Sequence, residues 1–315
     1  MDQAATISVL FAFNADYAQH AAACMASLLR HSRAHLDVVI ASSEDPDAFA
    51  GRIERSFAGN PRISLDFKRF QVPSGIHFPT PHRLTLDTYL RFWADELMPG
   101  RRRVLYLDPD TIITSAIEEL WETDMRGNVL AAVPIPNSSR PATHGMPPGS
   151  RFFNAGVLLF DLDAWRERAC RDRCLDYLRR NPECALDGDQ DVLNLALIGE
   201  WLPLDYAWNV INPFYRPSHD LKLSATVVAR VRALPKIIHF NGSNKPWFYL
   251  DTHPRKAEYL QNLAETDWRD WKPPDFTVTN RVRKGVGRYV PHWAKLRGEA
   301  LVRAALAMRR ARQAA

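Results

Sequence analysis

The sequence predicts an α/β fold: a doubly wound sheet of mixed strand direction with a small helical tail at its carboxyl end. Two observations carry this. Apolar, β-branched runs alternate with helical patterns in β-α-β-α-β order over the first 70 residues. Further on, Val104-Leu105-Tyr106-Leu107 runs directly into Asp108-Pro109-Asp110. Such a short apolar run reads as a buried strand, and its two carboxylates fall at the strand's carboxyl end, where open α/β sheets place their ligands.

Thr6 to Phe13 is the first strand, and Asn14 to Tyr17 a polar break after it. Residues 18–31 have helical periodicity, with Ala22, Met25, Ala26 and Leu29 on one side. Leu36–Ala41 is a strand centred on Val38-Val39-Ile40, Glu44–Phe57 a helix and Ile63–Phe70 a third strand. Arg83 to Leu97 is predicted helical, with Leu86, Tyr89, Leu90 and Trp93 spaced for burial and Arg91 among them. Ile112 to Trp121 and Met125 to Val133 continue the α/β pattern. Residues 134–150, with five prolines and two glycines, read as a long loop of the kind that forms active-site lids. Phe152 to Asp161 is a strongly apolar strand opened by Asn154 and Gly156. Ala164–Arg180 is a helix. In Leu186 to Asn194 three acids and a glutamine precede another helix, so Asp187 or Asp189 can serve as its N-cap. Trp201–Trp208 is a strand and turn, Asn209–Pro217 an irregular loop, and Lys236–Phe240 a last short strand running into Asn241-Gly242-Ser243-Asn244-Lys245.

A chain of 315 residues with 46% hydrophobic and 24% charged side chains is that of a globular protein. Charge is unevenly placed. Residues 281–315 hold ten Lys/Arg and one acid, Glu299, while the other 280 residues hold 31 basic and 35 acidic side chains. The acidic body gives nucleic acid no role as a partner. Cys24, Cys170, Cys174 and Cys184 have no zinc spacing and no disulfide framework, and read as reduced thiols of a cytosolic protein. Asp2 and Gln3 argue against a signal-peptide n-region, and no run reaches transmembrane length.

The candidate chemistry lies at strand ends. In extended backbone, Asp108 and Asp110 point the same way, and two hard oxygens on one side suit manganese or magnesium. By itself the pattern is also a strand followed by an Asp-rich turn. His239, at the end of its strand, offers an imidazole ligand; Gly242 exposes backbone N–H, and Lys245 is a point charge for phosphate. Read plainly, His239 is a core histidine beside a turn and Arg91 a surface arginine.

Taken together, the segments Tyr106-Leu107-Asp108-Pro109-Asp110, Phe153-Asn154-Ala155-Gly156, Asp189-Gln190-Asp191-Val192-Leu193-Asn194 and His239 to Trp247 resemble glycosyltransferase family 8 in order and separation. The likeness is to its bacterial lipopolysaccharide galactosyl- and glucosyltransferase branch and covers roughly residues 6–250. It implies the nucleotide-diphospho-sugar transferase (GT-A) fold and a retaining hexosyl transfer from a UDP-sugar, UDP-galactose or UDP-glucose. It implies that Asp108, Asp110 and His239 hold manganese (or magnesium) against the diphosphate, and that Gly242 and Lys245 contact that diphosphate. It places Arg91, Asn154 and Asp189 near the donor sugar, Gln190 beneath the anomeric carbon, and Phe13, Asn14 and Tyr17 at the uridine. Two departures bear on the donor: the family often has Asp where Asn14 stands, and its galactosyltransferases carry an acid near Ile135, where the nearest polar side chain here is Asn137.

The domain plan expected is a catalytic domain over 1–250, an extension over 251–280 and a basic tail over 281–315. Tyr289 and Trp293 favour a lipid interface, and Leu301, Ala304, Ala305 and Met308 share one side of the tail if it is helical. The tail is therefore expected to hold the protein peripherally on the anionic inner face of the cytoplasmic membrane, where a lipid-linked glycan acceptor would lie; read plainly, it is a solvated basic tail. The alternative is a catalytically inactive sugar-nucleotide-binding protein of the same fold. Its expected mark, loss of a metal ligand or of the Asp189-Gln190 pair, is missing.

Overall fold

The computed structural model describes residues 5–81, 84–216 and 220–287. They form two compact units, one of residues up to 246 together with 253–271, the other of 247–252 and the segment from 272 onward.

A seven-stranded sheet runs through the first unit in the order β3-β2-β1-β4-β7-β6-β8. Its strands are β1 (Thr6–Ala12), β2 (His35–Ser42), β3 (Ile63–Arg69), β4 (Arg103–Leu107), β6 (Leu130–Pro134), β7 (Phe153–Asp161) and β8 (Trp201–Pro203). β1 pairs in parallel with β2 and β4, β2 with β3, and β6 with β8. β7 alone runs against its neighbours, β4 and β6. The sheet is thus mixed, and its strand order reverses beside β1, between β2 and β4. A second sheet, β5-β10-β9, joins β5 (Thr111–Ile113), β10 (Ile237–His239) and β9 (Val210–Ile211), with β5 antiparallel to β10.

The central strands are buried on both faces, as their unbroken apolar runs require: Val104, Leu105, Tyr106 and Leu107 are all fully buried. The helix Ala18–His31 is alanine-rich, and Ala21, Ala22 and Ala23 are fully buried. Small side chains there let a helix of high intrinsic propensity pack closely on the sheet. Residues 253–271, beyond the expected catalytic stretch, return to this helix: His20 Nδ1 lies 2.7 Å from the Tyr259 hydroxyl, and Arg30 pairs with Glu265.

Several predicted elements differ locally. The helix expected over Ala164–Arg180 is two, Leu162–Glu167 and Cys170–Arg180, broken at Ala169 in the left-handed conformation (φ 47°). Alanine pays about 1 kcal/mol or more there and carries no local signal of the break. The helix expected from Arg83 to Leu97 is a 3-10 segment, Leu86–Trp93, ending in one α turn, Ala94–Leu97, and Arg83 itself lies outside the described residues. Glu44–Phe57 narrows to a 3-10 turn and the helix Ala50–Phe57. The loop of residues 134–150 contains a helical turn, Arg140–Thr143, and the loop after Trp208 contains β9 and a 3-10 segment, Asn212–Tyr215.

In the second unit, the Asp275 carboxylate accepts from the backbone N–H of Tyr249 and Leu250, Lys284 Nζ lies 4.2 Å from the Tyr249 ring centre, and a helix covers Val278–Gly287. The rest of the expected tail, residues 288–315 with Tyr289 and Trp293, lies outside the described residues. No helix among the described residues is long and apolar enough to cross a membrane.

Candidate active site

Asp108 follows the last residue of β4 in the large sheet, and Asp110 precedes the first residue of β5 in the small one. Pro109 turns the chain between them. β5 lies against β10 with Thr111 opposite His239, which brings the imidazole to the two carboxylates. His239 Nε2 is 3.2 Å from Asp110 Oδ1 and 3.6 Å from Asp108 Oδ2. Among the described residues, this is the one group of His, Cys, Asp and Glu whose ligand atoms all lie within 4.8 Å of one another.

The site around them is built to aim these atoms. Asp108 Oδ1 accepts from Arg91 Nη2 (2.9 Å) and the Tyr106 hydroxyl (3.1 Å), which leaves Oδ2 toward His239. Asp110 Oδ2 is paired with the Lys245 ammonium, which also donates to the Phe240 carbonyl. Burial pushes the Asp110 carboxyl up, but Lys245 and His239 outweigh it and hold the group well below the usual carboxylate range. Gly156 on β7 faces the cluster, and a Cβ there would stand 2.7 Å from Asp108 Oδ2. Two carboxylates and an imidazole are a donor set for manganese or magnesium, and the missing Cβ keeps the space beside them open.

The strand β7 is irregular where it passes the cluster. Ala132 pairs with Leu158 and Val133 with Asn154, so residues 155–157 have no partner on β6. Three of their backbone groups turn to side chains instead. Arg91 donates to the Ala155 carbonyl, Ala155 N–H donates to Gln190 Oε1 (3.2 Å) and Gly156 N–H to Asn154 Oδ1 (3.1 Å). Asn154 Nδ2 also donates to Gln190 Oε1, at 2.9 Å. Gln190 thus has its amide oxygen fully engaged by β7. Asn194, one turn along, accepts from Phe153 N–H and donates to the Gln190 carbonyl, tying the helix Asp189–Ala196 to the same strand.

Arg91 is buried, not on the surface, with only 2% of its area exposed. Its guanidinium lies over the Tyr106 ring (4.1 Å) and 3.1 Å from Asp189 Oδ2. Burial pulls its guanidinium down, but Asp189 and Asp108 outweigh it and hold the group above even the ordinary arginine range. Asp189 goes the other way: burial and Asp108 raise its carboxyl to about 6 against the pull of Arg91. The helix that Asp189 opens is capped by Gly188 at φ 64°, so neither Asp187 nor Asp189 is the N-cap.

These groups line a cleft of about 610 Å³ at the carboxyl ends of β1 and β4. Eleven of the twelve predicted site residues line it: Phe13, Tyr17, Arg91, Asp108, Asp110, Asn154, Asp189, Gln190, His239, Gly242 and Lys245. Asn14 does not; it precedes the 3-10 turn Ala15–Tyr17, and its Oδ1 is buried without a hydrogen-bond partner. Thr85, Thr88, Asn241 and Ser243 also line the cleft and were not singled out. Nothing in their composition separates them from ordinary turn residues. The lid expected from residues 134–150 reaches the cleft rim through an Arg140–Asp187 ion pair.

A family profile described as glycosyl transferase family 8 matches residues 8–251. General stress protein A of Bacillus subtilis is 25% identical over 65% of this chain and 74% of its own length. The lipopolysaccharide 1,2-glucosyltransferase of Escherichia coli is 24% identical over 85% of this chain and 81% of its own. Among solved structures, the galactosyltransferase LgtC in complex with donor and acceptor sugar analogues superposes with a TM-score of 0.71 at 22% identity, over 84% of this chain and 99% of that one, which shows a shared fold.

Proposed function

The chain belongs to glycosyl transferase family 8 and is a glycosyltransferase; from that premise we propose that it moves a hexose from UDP-glucose or UDP-galactose to a hydroxyl of a cell-surface glycan, with retention at the anomeric carbon. The single observation that carries the reading is the convergence of Asp108, Asp110 and His239, from two different sheets, at the floor of a cleft lined by Asp189, Gln190 and Lys245. The likeness to a lipopolysaccharide 1,2-glucosyltransferase and to the galactosyltransferase LgtC supports the choice of hexose and acceptor class.

Asp108, Asp110 and His239 are the residues that would hold manganese. When bound, the metal supplies positive charge against the diphosphate leaving group. Lys245, now neutralising Asp110, adds a second cation beside that position, and Gly242, at φ 74°, exposes its backbone N–H without a side chain in the way. Tyr17, half-buried, presents aromatic surface for the uracil ring at the end of β1, and the buried Phe13 lines the cleft beside it. Arg91 pairs with Asp108 and Asp189 and holds both carboxylates in place near the sugar, its charge opposing the burial that raises the Asp189 carboxyl.

The bond between the anomeric carbon and the phosphate oxygen breaks as the acceptor oxygen bonds to that carbon. The acceptor's proton passes to the departing phosphate oxygen. This front-face route suits the geometry: Gln190 Oε1 already accepts two hydrogen bonds and is a poor nucleophile, whereas the ionised Asp189 carboxylate can stabilise the developing positive charge.

For the membrane reading, support comes from the basic tail and from Val278 and Val282, which are one helical turn apart and 75% and 61% exposed. On this reading the protein works at the cytoplasmic face of the membrane, with a lipid-linked glycan as acceptor.

The test is purified protein with a panel of UDP-sugars, with and without manganese, scored for UDP release and for the configuration of the product. UDP release that needs manganese and yields an α-linked product from an α-linked donor is expected. Equal release with excess chelator, or an inverted product, sinks the reading.

A further inference from the structure

We propose that Asn209, a residue in none of the four motifs, is a positioning residue that sets the tautomer of His239 and braces the Asn154–Gln190 amide pair, whose orientation the β7 backbone fixes. The proposal rests on the metal role of His239 given above. Asn209 is 1% exposed and joins two groups otherwise unconnected: its Nδ2 donates to Asn154 Oδ1 (2.8 Å), and its Oδ1 lies 3.0 Å from His239 Nδ1.

The direction of every bond in this chain follows from two backbone groups. Gly156 N–H can only donate, and it points at Asn154, so the atom it meets is the oxygen. Asn154's other atom is then Nδ2, a donor, and it meets Gln190 Oε1, which Ala155 N–H independently requires to be an acceptor. Asn154 Oδ1 must receive its second bond from a donor, so Asn209 presents Nδ2 there and turns Oδ1 to the imidazole. An acceptor facing Nδ1 demands a proton on Nδ1. The other ring nitrogen, Nε2, then carries the lone pair, and it is Nε2 that faces Asp108 and Asp110. A ligating imidazole oriented by a hydrogen bond at its other nitrogen is the general arrangement at metal sites. Here the same residue also reaches Gln190 through Asn154, so the metal ligand and the group assigned to the reacting carbon share one polar relay. The relay exists because the irregularity in β7 leaves Ala155 and Gly156 free of β6.

The test separates the two arms. Asn209→Leu keeps the branching at Cγ and removes both bonds; Asn209→Asp accepts from Nδ1–H but has no donor for Asn154. Full-length protein labelled with 15N-histidine, free of metal and at about pH 8, reports the His239 tautomer, assigned against His239→Gln. Manganese titration in the presence of UDP, followed by electron paramagnetic resonance, reports affinity, and steady-state transfer reports kcat. Asn209→Leu should lose the Nδ1–H preference and about ten- to a hundredfold in manganese affinity. Asn209→Asp should keep the tautomer and hold affinity within about threefold, yet remain low in kcat. Wild-type tautomer and affinity in Asn209→Leu would overturn the proposal, as would an Asn209→Asp protein that loses both. A wild-type protein that binds no manganese with UDP would defeat the functional reading instead, while the metal-free tautomer still decides the relay.

Discussion

A Cβ on Gly156 would stand 2.3 Å from His239 Cε1, closer than any two such atoms can approach. The glycine's backbone is not in the left-handed region, so its requirement is space and not conformation. The same Cβ would press on Asp108 Oδ2, so two proposed metal ligands share one clearance. Gly156→Ala should therefore keep the fold, at a cost of about 1–3 kcal/mol for overpacking, and lose at least about tenfold in manganese affinity. Urea unfolding and manganese titration with UDP check both halves. Unchanged affinity would mean that His239 and Asp108 do not act together.

Arg91 is expected to be a stability residue as well as a site residue. It is the buried partner of both Asp108 and Asp189, and the Ala155 carbonyl also accepts from it. Removing it leaves the Asp189 carboxylate buried without its cation. Arg91→Met should lower unfolding free energy by about 3–5 kcal/mol. Arg91→Lys should not rescue it, because a compact ammonium lacks the planar fork that spans Asp108, Asp189 and the Ala155 carbonyl while lying on the Tyr106 face. A loss under about 1 kcal/mol in denaturant titration would contradict the network.

Gln190→Ala should reduce kcat by about a hundredfold and change UDP affinity little, since the residue is assigned to the reacting carbon and not to the nucleotide. Initial rates and UDP binding measured on the same preparation separate the two. A parallel loss of UDP affinity would recast Gln190 as part of the nucleotide pocket.

Stability should fall in acid through His20. The imidazole is 3% exposed beside Tyr259, and burial depresses it from 6.5 to about 3, with Asp110 pulling weakly the other way. The unfolded chain takes up a proton at about 6.5 and the folded chain does not, so this contribution is complete above that pH and is lost as pH falls toward 3. The slope from this one group is about 1.4 kcal/mol per pH unit. His20→Gln should remove that slope from the urea midpoint between about pH 6 and 4. Identical slopes in the two proteins would place the acid sensitivity elsewhere.

Deleting residues 281–315 should release the protein from anionic vesicles and spare hydrolysis of the UDP-sugar. Each basic side chain near such a surface is worth about 1 kcal/mol, so the ten in this segment dominate any apolar contribution. Equal sedimentation of full-length and shortened protein with phosphatidylserine vesicles at low salt would remove the membrane role.

What the sequence determined by itself is whatever depends on neighbours in the chain. An apolar run of four ending in Asp108-Pro109-Asp110 specifies a buried strand with two carboxylates at its end, because burial on both faces and i, i+2 direction are local properties. The site roles of Asn154, Asp189 and Gln190 were legible only through the family resemblance; by their neighbours alone, Asn154 and Gly156 open an apolar strand and Asp189 reads as an N-cap. The tertiary structure alone decided what depends on pairing. That β7 enters antiparallel between β4 and β6, with an irregularity that frees two N–H groups, is set by strands far apart in sequence. Arg91 reads as a surface residue until its buried partners are known, 17 residues away at Asp108 and beyond. Asn209, at the end of a turn, has no pattern of its own; its meaning comes from Asn154, 55 residues earlier, and His239, 30 later. Hydrogen-bond direction is a property of the closed network, and no segment of the chain holds enough of that network to declare it.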